Sequence, residues 1–299
     1  MEQQKKLTLR AWAELALLAV VWGGSFLGFG LAVREIPTFT IVAFRVTGGA
    51  LVLWAYVYWR GLAMPWSSKA WLCFLGMGLL NNVIPFSLIA WGQLLVPSGL
   101  ASIFNASTAI FGVLLAALFF ADEKLTARKM CGVVIGFCGV VTAIGLSALS
   151  EFSLQSVSQL AFICASISYA FAGSFGRGFL AGYRPQVAAT GMTTASALFI
   201  LPIALGVDGV PTLDYSAPTW WALAYLAIGA TAFAYLLYYR VLEMAGSGNL
   251  LLVTLLAAPV AIVLGAVVLG ETLDARVYVG FGILSLGLLV LDGRVLRRR

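Results

Sequence analysis

Residues 97–141, PSGLASIFNASTAIFGVLLAALFFADEKLTARKMCGVVIGFCGVV, return as residues 246–290, GSGNLLLVTLLAAPVAIVLGAVVLGETLDARVYVGFGILSLGLLV. Each copy begins with an apolar run of about twenty residues, the length that crosses the hydrocarbon core of a bilayer. A short acidic turn follows, in which Glu123 aligns with Glu271, and then a second apolar run that contains several Gly residues. Two such hairpins, each closing one half of the chain, indicate a duplicated membrane architecture.

The composition predicts that most of this chain is surrounded by lipid. It is 62% hydrophobic and 10% charged, more apolar than a soluble domain can bury. The sequence contains no His, the commonest metal ligand and general base, and it lacks a P-loop. The four Cys lie in apolar runs without metal-ligand or disulfide spacing. We therefore predict no metal, no cofactor and no enzymatic activity, and the scattered basic residues predict no nucleic-acid partner.

Ten apolar runs have the length of membrane-spanning helices. They cover residues 12–33, 38–59, 70–92, 97–120, 127–147, 157–177, 186–206, 219–239, 248–270 and 275–292. The connections are short and contain Pro, Gly or charged residues, so no room remains for a soluble domain. The sequence thus predicts an all-α integral membrane protein, a single transport domain over residues 1–299 with five-helix repeats at 11–149 and 150–299.

The distribution of Lys and Arg predicts the orientation of the chain. With a cytoplasmic N-terminus, only Arg34 and Arg276 fall on outer turns and Arg45 inside a span, while the other basic residues are cytoplasmic. Residues 12–33 lack a cleavage site, so we expect a retained first helix and not a signal peptide. Because five is odd, the second repeat is inverted relative to the first and both termini are cytoplasmic. Inverted repeats recur in secondary transporters, with the substrate site near the membrane midplane.

Three sequence features resemble the EamA-type transporters of the drug/metabolite transporter superfamily. They are WGGSF at residues 22–26, FRVTGGALVL at residues 44–53 and the two hairpins described above. The resemblance covers essentially the whole chain and implies a ten-helix carrier of the bacterial inner membrane that moves small metabolites or amino acids, usually outward. In overall similarity the chain is closest to the YddG-like aromatic amino acid exporters. It departs from its own repeat at residues 186–199, which lack the Arg of the FRVTGGALVL segment.

Two adjacent amides in the third span are candidate binding groups. Asn81 and Asn82 lie near the middle of the span, where a polar side chain is costly unless it meets a partner or a cavity. Adjacent residues do not share one helix face, so one amide is expected on a neighbouring helix and the other in a cavity. Pro85 frees a backbone carbonyl one turn earlier and can bend the helix. Hydrogen bonding between helices is the alternative role.

A polar stripe runs along the fourth span at helical spacing. It consists of Ser98, Ser102, Asn105 and Thr108. In a ten-helix bundle such a stripe predicts a wall of a watery path, with close packing of small residues as the alternative. The ninth span, its repeat partner, has fewer polar residues, namely Asn249 and Thr254, together with Pro259.

Three aromatic residues lie away from the predicted membrane interfaces. Trp22 and Tyr169 occupy matching mid-span positions in helices 1 and 6, and Tyr235 lies in span 8. Tyr and Trp side chains need a hydrogen-bond partner when buried. Together they predict a pocket for an aromatic or amphipathic ligand, with ordinary packing as the alternative.

Charged residues within the spans are few. Arg45 is expected near the outer rim, where it snorkels or pairs with Glu35 or Glu151; attraction of a substrate carboxylate is the alternative. Glu14 lies one turn into span 1, where a structural role is favoured over proton coupling. No Asp, Glu or His lies at the middle of a span. The predicted cavity is therefore neutral, which fits a zwitterionic substrate and facilitated export.

The sequence thus predicts a monomeric secondary transporter that exports small uncharged or zwitterionic metabolites, with aromatic or apolar amino acids as the sharpest hypothesis. Its partners are the small-molecule substrate and the lipid bilayer. A broad drug or dye exporter is the main alternative, and a channel or membrane enzyme is a more distant one. The predicted binding residues are Trp22, Asn81, Asn82, Ser102, Asn105, Tyr169 and Tyr235. The predicted structural or gating residues are Pro85, Pro259, Gly24, Gly132 and Gly136, the glycines because small residues let helices approach closely.

Overall fold

The computed structural model describes residues 8–121, 125–145, 154–245 and 252–292, and these ranges fold entirely into helices and short turns. Glu123, Glu151 and Asn249 lie outside the described residues. The first repeat contains α1 Leu9–Ala32, α2 Thr38–Trp59, α3 Ser68–Gly92, α4 Ser98–Phe119 and α5 Ala127–Ile144. The second contains α6 Leu154–Phe179, α7 Pro185–Val207, α8 Ala217–Ala245 in three consecutive segments, α9 Leu252–Leu269 and α10 Ala275–Asp292.

Each predicted span coincides with one of these helices, as the length and apolar character of the runs require. Eight helices are long and apolar enough to cross a bilayer, and α9 and α10 are shorter apolar helices, Val253–Leu269 and Ala275–Leu291. The prediction of an all-α integral membrane protein is therefore confirmed. The fourth span is less regular than its sequence suggests, because α4 is interrupted at Ser107, whose hydroxyl donates to the carbonyl of Phe104 at 2.6 Å.

The helices that end the two repeats, α5 and α10, pack against each other through glycine. A Cβ at Gly287 would lie 2.5 Å from the backbone nitrogen of Gly136, and one at Gly280 would lie 2.6 Å from that of Ala143. Real Cβ atoms do not approach backbone so closely, so contact of this kind requires glycine. Because the later residue of α5 meets the earlier residue of α10, these two repeat-related helices run antiparallel.

A second repeat-related pair, α2 and α7, is also antiparallel. The beginning of α2 meets the end of α7, where Asp208 Oδ2 accepts from the backbone nitrogen of Thr40 at 2.7 Å and from its hydroxyl at 2.9 Å. Further along α2, Trp54 Nε1 donates to Thr194 Oγ1 at 2.9 Å. Matching helices that run in opposite directions are what a second repeat of inverted orientation requires.

The predicted small-residue pair in α1 brings that helix close to α8. A Cβ at Gly24 would meet the hydroxyl of Tyr225 at 2.5 Å, and one at Gly28 would meet the side chain of Leu226 at 3.1 Å. Tyr225 also donates to the carbonyl of Val21 at 2.7 Å. The first helix of one repeat is thus held against the third helix of the other, beside the site described next.

Candidate substrate-binding site

Two π-helical segments lie at matching positions in the repeats. In α3 the segment is Leu79–Val83, and in α8 it is Tyr225–Phe233. A π segment shifts the backbone hydrogen bonds from the fourth to the fifth preceding residue, and such bulges are frequent at functional sites. The sequence predicts a bend in α3 at Pro85. The π segment in α8 contains no Pro, so the local sequence does not predict it.

The π segment of α3 leaves one backbone carbonyl free for another helix. The nitrogen of Ile84 bonds to the carbonyl of Leu79, five residues earlier. Pro85 has no N–H and leaves the next carbonyl, that of Leu80, without its helical donor. The hydroxyl of Ser168 in α6 donates to this oxygen at 2.7 Å. Pro85 therefore makes possible a hydrogen bond between α3 and α6, and its position also predicts a bend in α3.

One polar cluster joins α3, α7 and α8 and includes both predicted amides. Asn82 is completely buried, donates through Nδ2 to Ser196 Oγ at 3.0 Å and accepts at Oδ1 from the Tyr235 hydroxyl at 2.5 Å. Asn81, which is half-buried, donates through Nδ2 to the same hydroxyl at 3.0 Å. Both amides therefore bond to the Tyr235 hydroxyl of α8, which lies between them. We refer to Asn81, Asn82, Ser196 and Tyr235 as the central cluster.

Aromatic side chains lie beside the central cluster. Trp22 of α1 packs against the apolar group that contains Tyr235, and its ring centroid lies 5.6 Å from that of Tyr238. Tyr169 of α6 is half-buried and lies within electrostatic range of Tyr235. The three aromatic residues predicted from the sequence are thus near one another. Tyr238 was missed, although it follows Tyr235 by three positions and so lies on nearly the same face of α8.

The polar stripe of α4 divides into two parts. Ser102 is buried and donates to the carbonyl of Gly99 at 2.6 Å, so its hydroxyl is satisfied within its own helix. By contrast, Asn105 Oδ1 and Thr108 Oγ1 are buried without a hydrogen-bond partner among the described residues. Buried polar atoms are nearly always paired in native proteins. In the described part of the chain no hydrogen bond joins Ser102 or Asn105 to the central cluster. The Ser102 hydroxyl is satisfied within its own helix, whereas Asn105 retains an open acceptor.

Arg45 lies within the bundle and not at the outer rim. It is 4% exposed, Nε donates to Thr231 Oγ1 at 3.0 Å, and Nη2 donates to the carbonyl of Ala230 at 3.3 Å. Both acceptors belong to the π segment of α8. Glu35, the expected partner, instead accepts from the hydroxyl and backbone nitrogen of Ser216 at 2.6 and 2.9 Å. The rim position predicted for Arg45 is therefore wrong, and the interior of the bundle contains a buried cation.

Carboxylates at one end of the bundle bind helix N-termini. Glu271, after α9, accepts from the backbone nitrogens of Ser98 and Gly99 at 2.8 and 3.2 Å and so caps α4. The hydroxyl and backbone nitrogen of Ser216 hold the pKa of Glu35 below its usual range, so the contact before α8 is weakened as the pH falls through that pKa. Anionic side chains are stabilised at these positions by the helix dipole. We refer to this end, which the charge distribution predicts to be outer, as the capped end.

Two cavities open at the capped end. One of about 670 Å³ is lined by Glu35, Ser87, Trp91 and Asp208 among others. A second of about 490 Å³ includes Gln93, Ser98 and Glu271. None of the predicted binding residues lines either cavity. Both cavities therefore lie at the capped end of the bundle and are separate from the central cluster.

Glu14 has the structural role that its position favours. Its Oε1 accepts from Arg10 Nε at 3.2 Å and from Arg240 Nη2 at 2.5 Å, which links α1 to α8.

Among the other predicted structural residues, Pro259 lies in the interior of α9, and a Cβ at Gly132 would lie 2.8 Å from the carbonyl oxygen of Gly287 in α10.

Tyr235→Phe is expected to weaken the central cluster while preserving the fold. The change removes the hydroxyl that joins Asn81 to Asn82 and leaves the buried Oδ1 of Asn82 with only a long contact from Asn81 Nδ2 at 3.5 Å. An unsatisfied buried acceptor costs about 1–3 kcal/mol. We expect a lower unfolding temperature and a transport rate reduced roughly tenfold, measured on purified protein and in proteoliposomes. Tyr278→Phe is the control, because Tyr278 is half-exposed on α10; equal effects of the two changes would contradict the assignment.

Comparison with known proteins gives two matches to one family. Residues 11–145 and 157–291 each match the model of the EamA-like transporter family. An uncharacterized transporter of Archaeoglobus fulgidus is 25% identical over 97% of this chain and 100% of its own length. A probable terminal-alkyne amino-acid exporter of Streptantibioticus cattleyicolor is 26% identical over 98% and 97% of the two chains. A probable amino-acid metabolite efflux pump of Salmonella typhimurium is 27% identical over 92% of each.

A solved crystal structure has the same fold. It superposes with a TM-score of 0.69 at 21% sequence identity and covers 99% of this chain and 100% of its own. The overall arrangement of helices is therefore that of a known structure.

Proposed function

The chain belongs to the EamA-like transporter family, and we propose that it exports amino acids with aromatic or apolar side chains across the bacterial inner membrane. Two relatives that match nearly the whole chain are described as a probable amino-acid exporter and a probable amino-acid metabolite efflux pump. Both descriptions concern amino acids or their metabolites. The transporter is proposed to act as a monomer with both termini in the cytoplasm.

The observation that carries this proposal is the composition of the central cluster. Amide and hydroxyl groups from α3, α7 and α8 meet there, and Trp22 and Tyr238 lie beside them. Small-molecule sites combine apolar and aromatic walls with a few convergent polar groups. An amino acid with a flat apolar side chain matches both parts of such a site. Its polar end would bind the central cluster, and its side chain would pack against the aromatic rings. Asn105, with an unpaired acceptor, and Tyr169 are proposed to complete the site.

Alternating access is the proposed mechanism. The cluster joins Asn81 and Asn82 of the first repeat to Ser196 and Tyr235 of the second, so a rocking of the two repeats changes its geometry directly. The antiparallel pairs α2–α7 and α5–α10 support repeats of inverted orientation, for which such rocking is the usual motion. The bonds of Glu271 to α4 join the two repeats at the capped end in the conformation described. Facilitated movement down a gradient is the simplest proposed energetics.

Counterflow in proteoliposomes tests the proposal. Vesicles that contain the purified protein and unlabelled phenylalanine are expected to take up labelled tryptophan transiently, saturably and with stereospecificity. The same vesicles with and without a pH gradient report on proton coupling. Vesicles made with an Asn82→Leu variant of equal folded fraction serve as the matched control, because that change removes two hydrogen bonds of the cluster. Uptake of bulky cationic dyes with no uptake of amino acids would favour a drug exporter instead.

A further inference from the structure

Arg45 is a buried cation whose two hydrogen-bond acceptors are neutral. The side chain enters the bundle from α2 and bonds to a hydroxyl and a backbone carbonyl of α8. The rings of Phe86 and Phe29 lie 3.7 and 5.0 Å from the centre of the guanidinium. Aromatic faces attract a cation but do not neutralise it. The positive charge is therefore held in place without a counter-charge from its immediate contacts.

Of the carboxylates whose side chains are described, Asp214 is exposed before α8 and the others are engaged away from Arg45. Glu14 and Asp274 form ion pairs with other arginines, and Glu35, Asp208 and Glu271 accept from helix N-termini at the capped end. Among the carboxylates whose side chains the structure describes, none lies within 4.0 Å of Arg45. A guanidinium stays protonated in proteins, and a buried charge without a partner is destabilising by several kcal/mol. A buried, unpaired cation in a membrane protein is therefore expected to bind an anion during the transport cycle.

The guanidinium also has hydrogen-bonding capacity to spare. It carries five N–H donors in a planar fork, and two of them are used by Thr231 and Ala230. The free donors suit a carboxylate, which the fork binds through two parallel hydrogen bonds. Thr231, which accepts from Arg45, precedes Tyr235 by four residues on α8, so the cation lies about one helical turn from the hydroxyl that holds the two amides. An anionic group of a ligand on the central cluster is therefore within reach of its charge.

We propose that Arg45 binds the carboxylate of the transported molecule and thereby restricts the substrates to carboxylic acids. This inference rests on the proposed function, since it requires that a substrate occupies the central cluster. For an amino acid, the carboxylate would face Arg45, and the ammonium group would face oxygen acceptors such as Asn81 Oδ1. An amine or amide of the same shape leaves the cation unpaired and adds no compensating charge. The charge of Arg45 thus selects against cationic drugs as well as for acids.

Matched acids and amides test the inference on the unmodified protein. The probes are tryptophan and tryptophanamide, and indole-3-propionate and its amide. Their affinities are measured from ligand-dependent thermal stabilisation and from competition in counterflow. We expect each acid to bind roughly ten- to hundredfold more tightly than its amide, the usual range for a charge-assisted pair of hydrogen bonds. If neither acid binds more tightly than its amide, the proposal is overturned whether or not any variant folds.

Variants at position 45 separate recognition from packing. Arg45→Met removes the charge and is expected to bring the acid-to-amide affinity ratio toward unity, because it weakens binding of the acid much more than binding of the amide. Arg45→Lys keeps the charge without the fork and is expected to retain part of the preference. Equal weakening of acid and amide would instead assign Arg45 to packing alone and reject the proposal. Preference for indole-3-propionate without any binding of tryptophan would reject the amino-acid substrate while leaving the carboxylate site in place.

Discussion

Gly287→Leu is expected to eliminate most of the folded protein. The first atom of the new side chain would lie 2.5 Å from the nitrogen and 2.8 Å from the Cα of Gly136, and 2.8 Å from the carbonyl oxygen of Gly132. All three are backbone atoms of α5 and cannot rotate away. Overpacking of a core commonly costs about 1–3 kcal/mol, and more where backbones must separate. We expect a large fall in the monodisperse fraction after detergent extraction and in the unfolding temperature.

Gly282→Leu is the matched control for this prediction. Gly282 lies on the same helix, and a Cβ there would have nothing within 4 Å. The added side chain faces open space that lipid occupies in a membrane, so its effect on folding is expected to be small. If Gly287→Leu is as stable as Gly282→Leu, the antiparallel contact between α5 and α10 is incorrect.

The sequence predicts this fold well because the bilayer imposes simple length and polarity requirements. Each apolar run had to form a helix long enough to bury its own backbone polar groups. The two hairpins that end the repeats identified the duplication, and the Gly spacing of α5 indicated where a partner helix approaches. The identity of that partner, α10, was not readable from the spacing. It follows from the packing of the complete bundle.

The site was less predictable, because hydrogen-bond partners depend on how each helix is rotated. Asn81, Asn82 and Tyr235 are conspicuous as polar or amphipathic residues within apolar runs. Ser196 was missed, since a Ser in a membrane helix often bonds to its own backbone, as Ser196 also does to Met192 at 2.6 Å. The π segment of α8 was missed for a similar reason. Without Pro, its irregular hydrogen bonding is set by contacts such as those of Arg45 with Thr231 and Ala230.

The location of Arg45 shows why distance along a helix is a weak guide to depth. Seven positions from the start of its span, a long side chain can reach the rim or the interior. The outcome depends on which acceptors the neighbouring helices offer. Here α8 presents a hydroxyl and a backbone carbonyl that accept from the guanidinium, so the side chain points inward. The buried cation was not predicted because only residues at the middle of each span were counted, without regard to the reach of this one.

Glu271→Ala is expected to open the capped end. The carboxylate accepts from the backbone nitrogens of Ser98 and Gly99 and so joins the end of α9 to the start of α4. Hydrogen bonds to a charged acceptor at a helix N-terminus contribute about 1.5–3 kcal/mol, which corresponds to a roughly ten- to hundredfold shift in a two-state equilibrium. The reporter is Val96→Cys in a background without native Cys, because Val96 is 3% exposed. Its labelling by a membrane-impermeant maleimide is expected to accelerate by a similar factor.

Two further variants show whether this effect comes from the cap. Asp274→Asn changes a carboxylate in the same turn that pairs only with the exposed Arg276 in the described chain, and it should leave the labelling rate unchanged. Glu271→Gln keeps an oxygen acceptor without the charge, so an intermediate rate is expected. In an alternating-access cycle a weaker closure at one end also slows the return step, so counterflow by Glu271→Ala should fall while equilibrium binding of the substrate persists. Unchanged labelling together with unchanged counterflow would mean that the bonds between Glu271 and α4 do not control access to the central cluster.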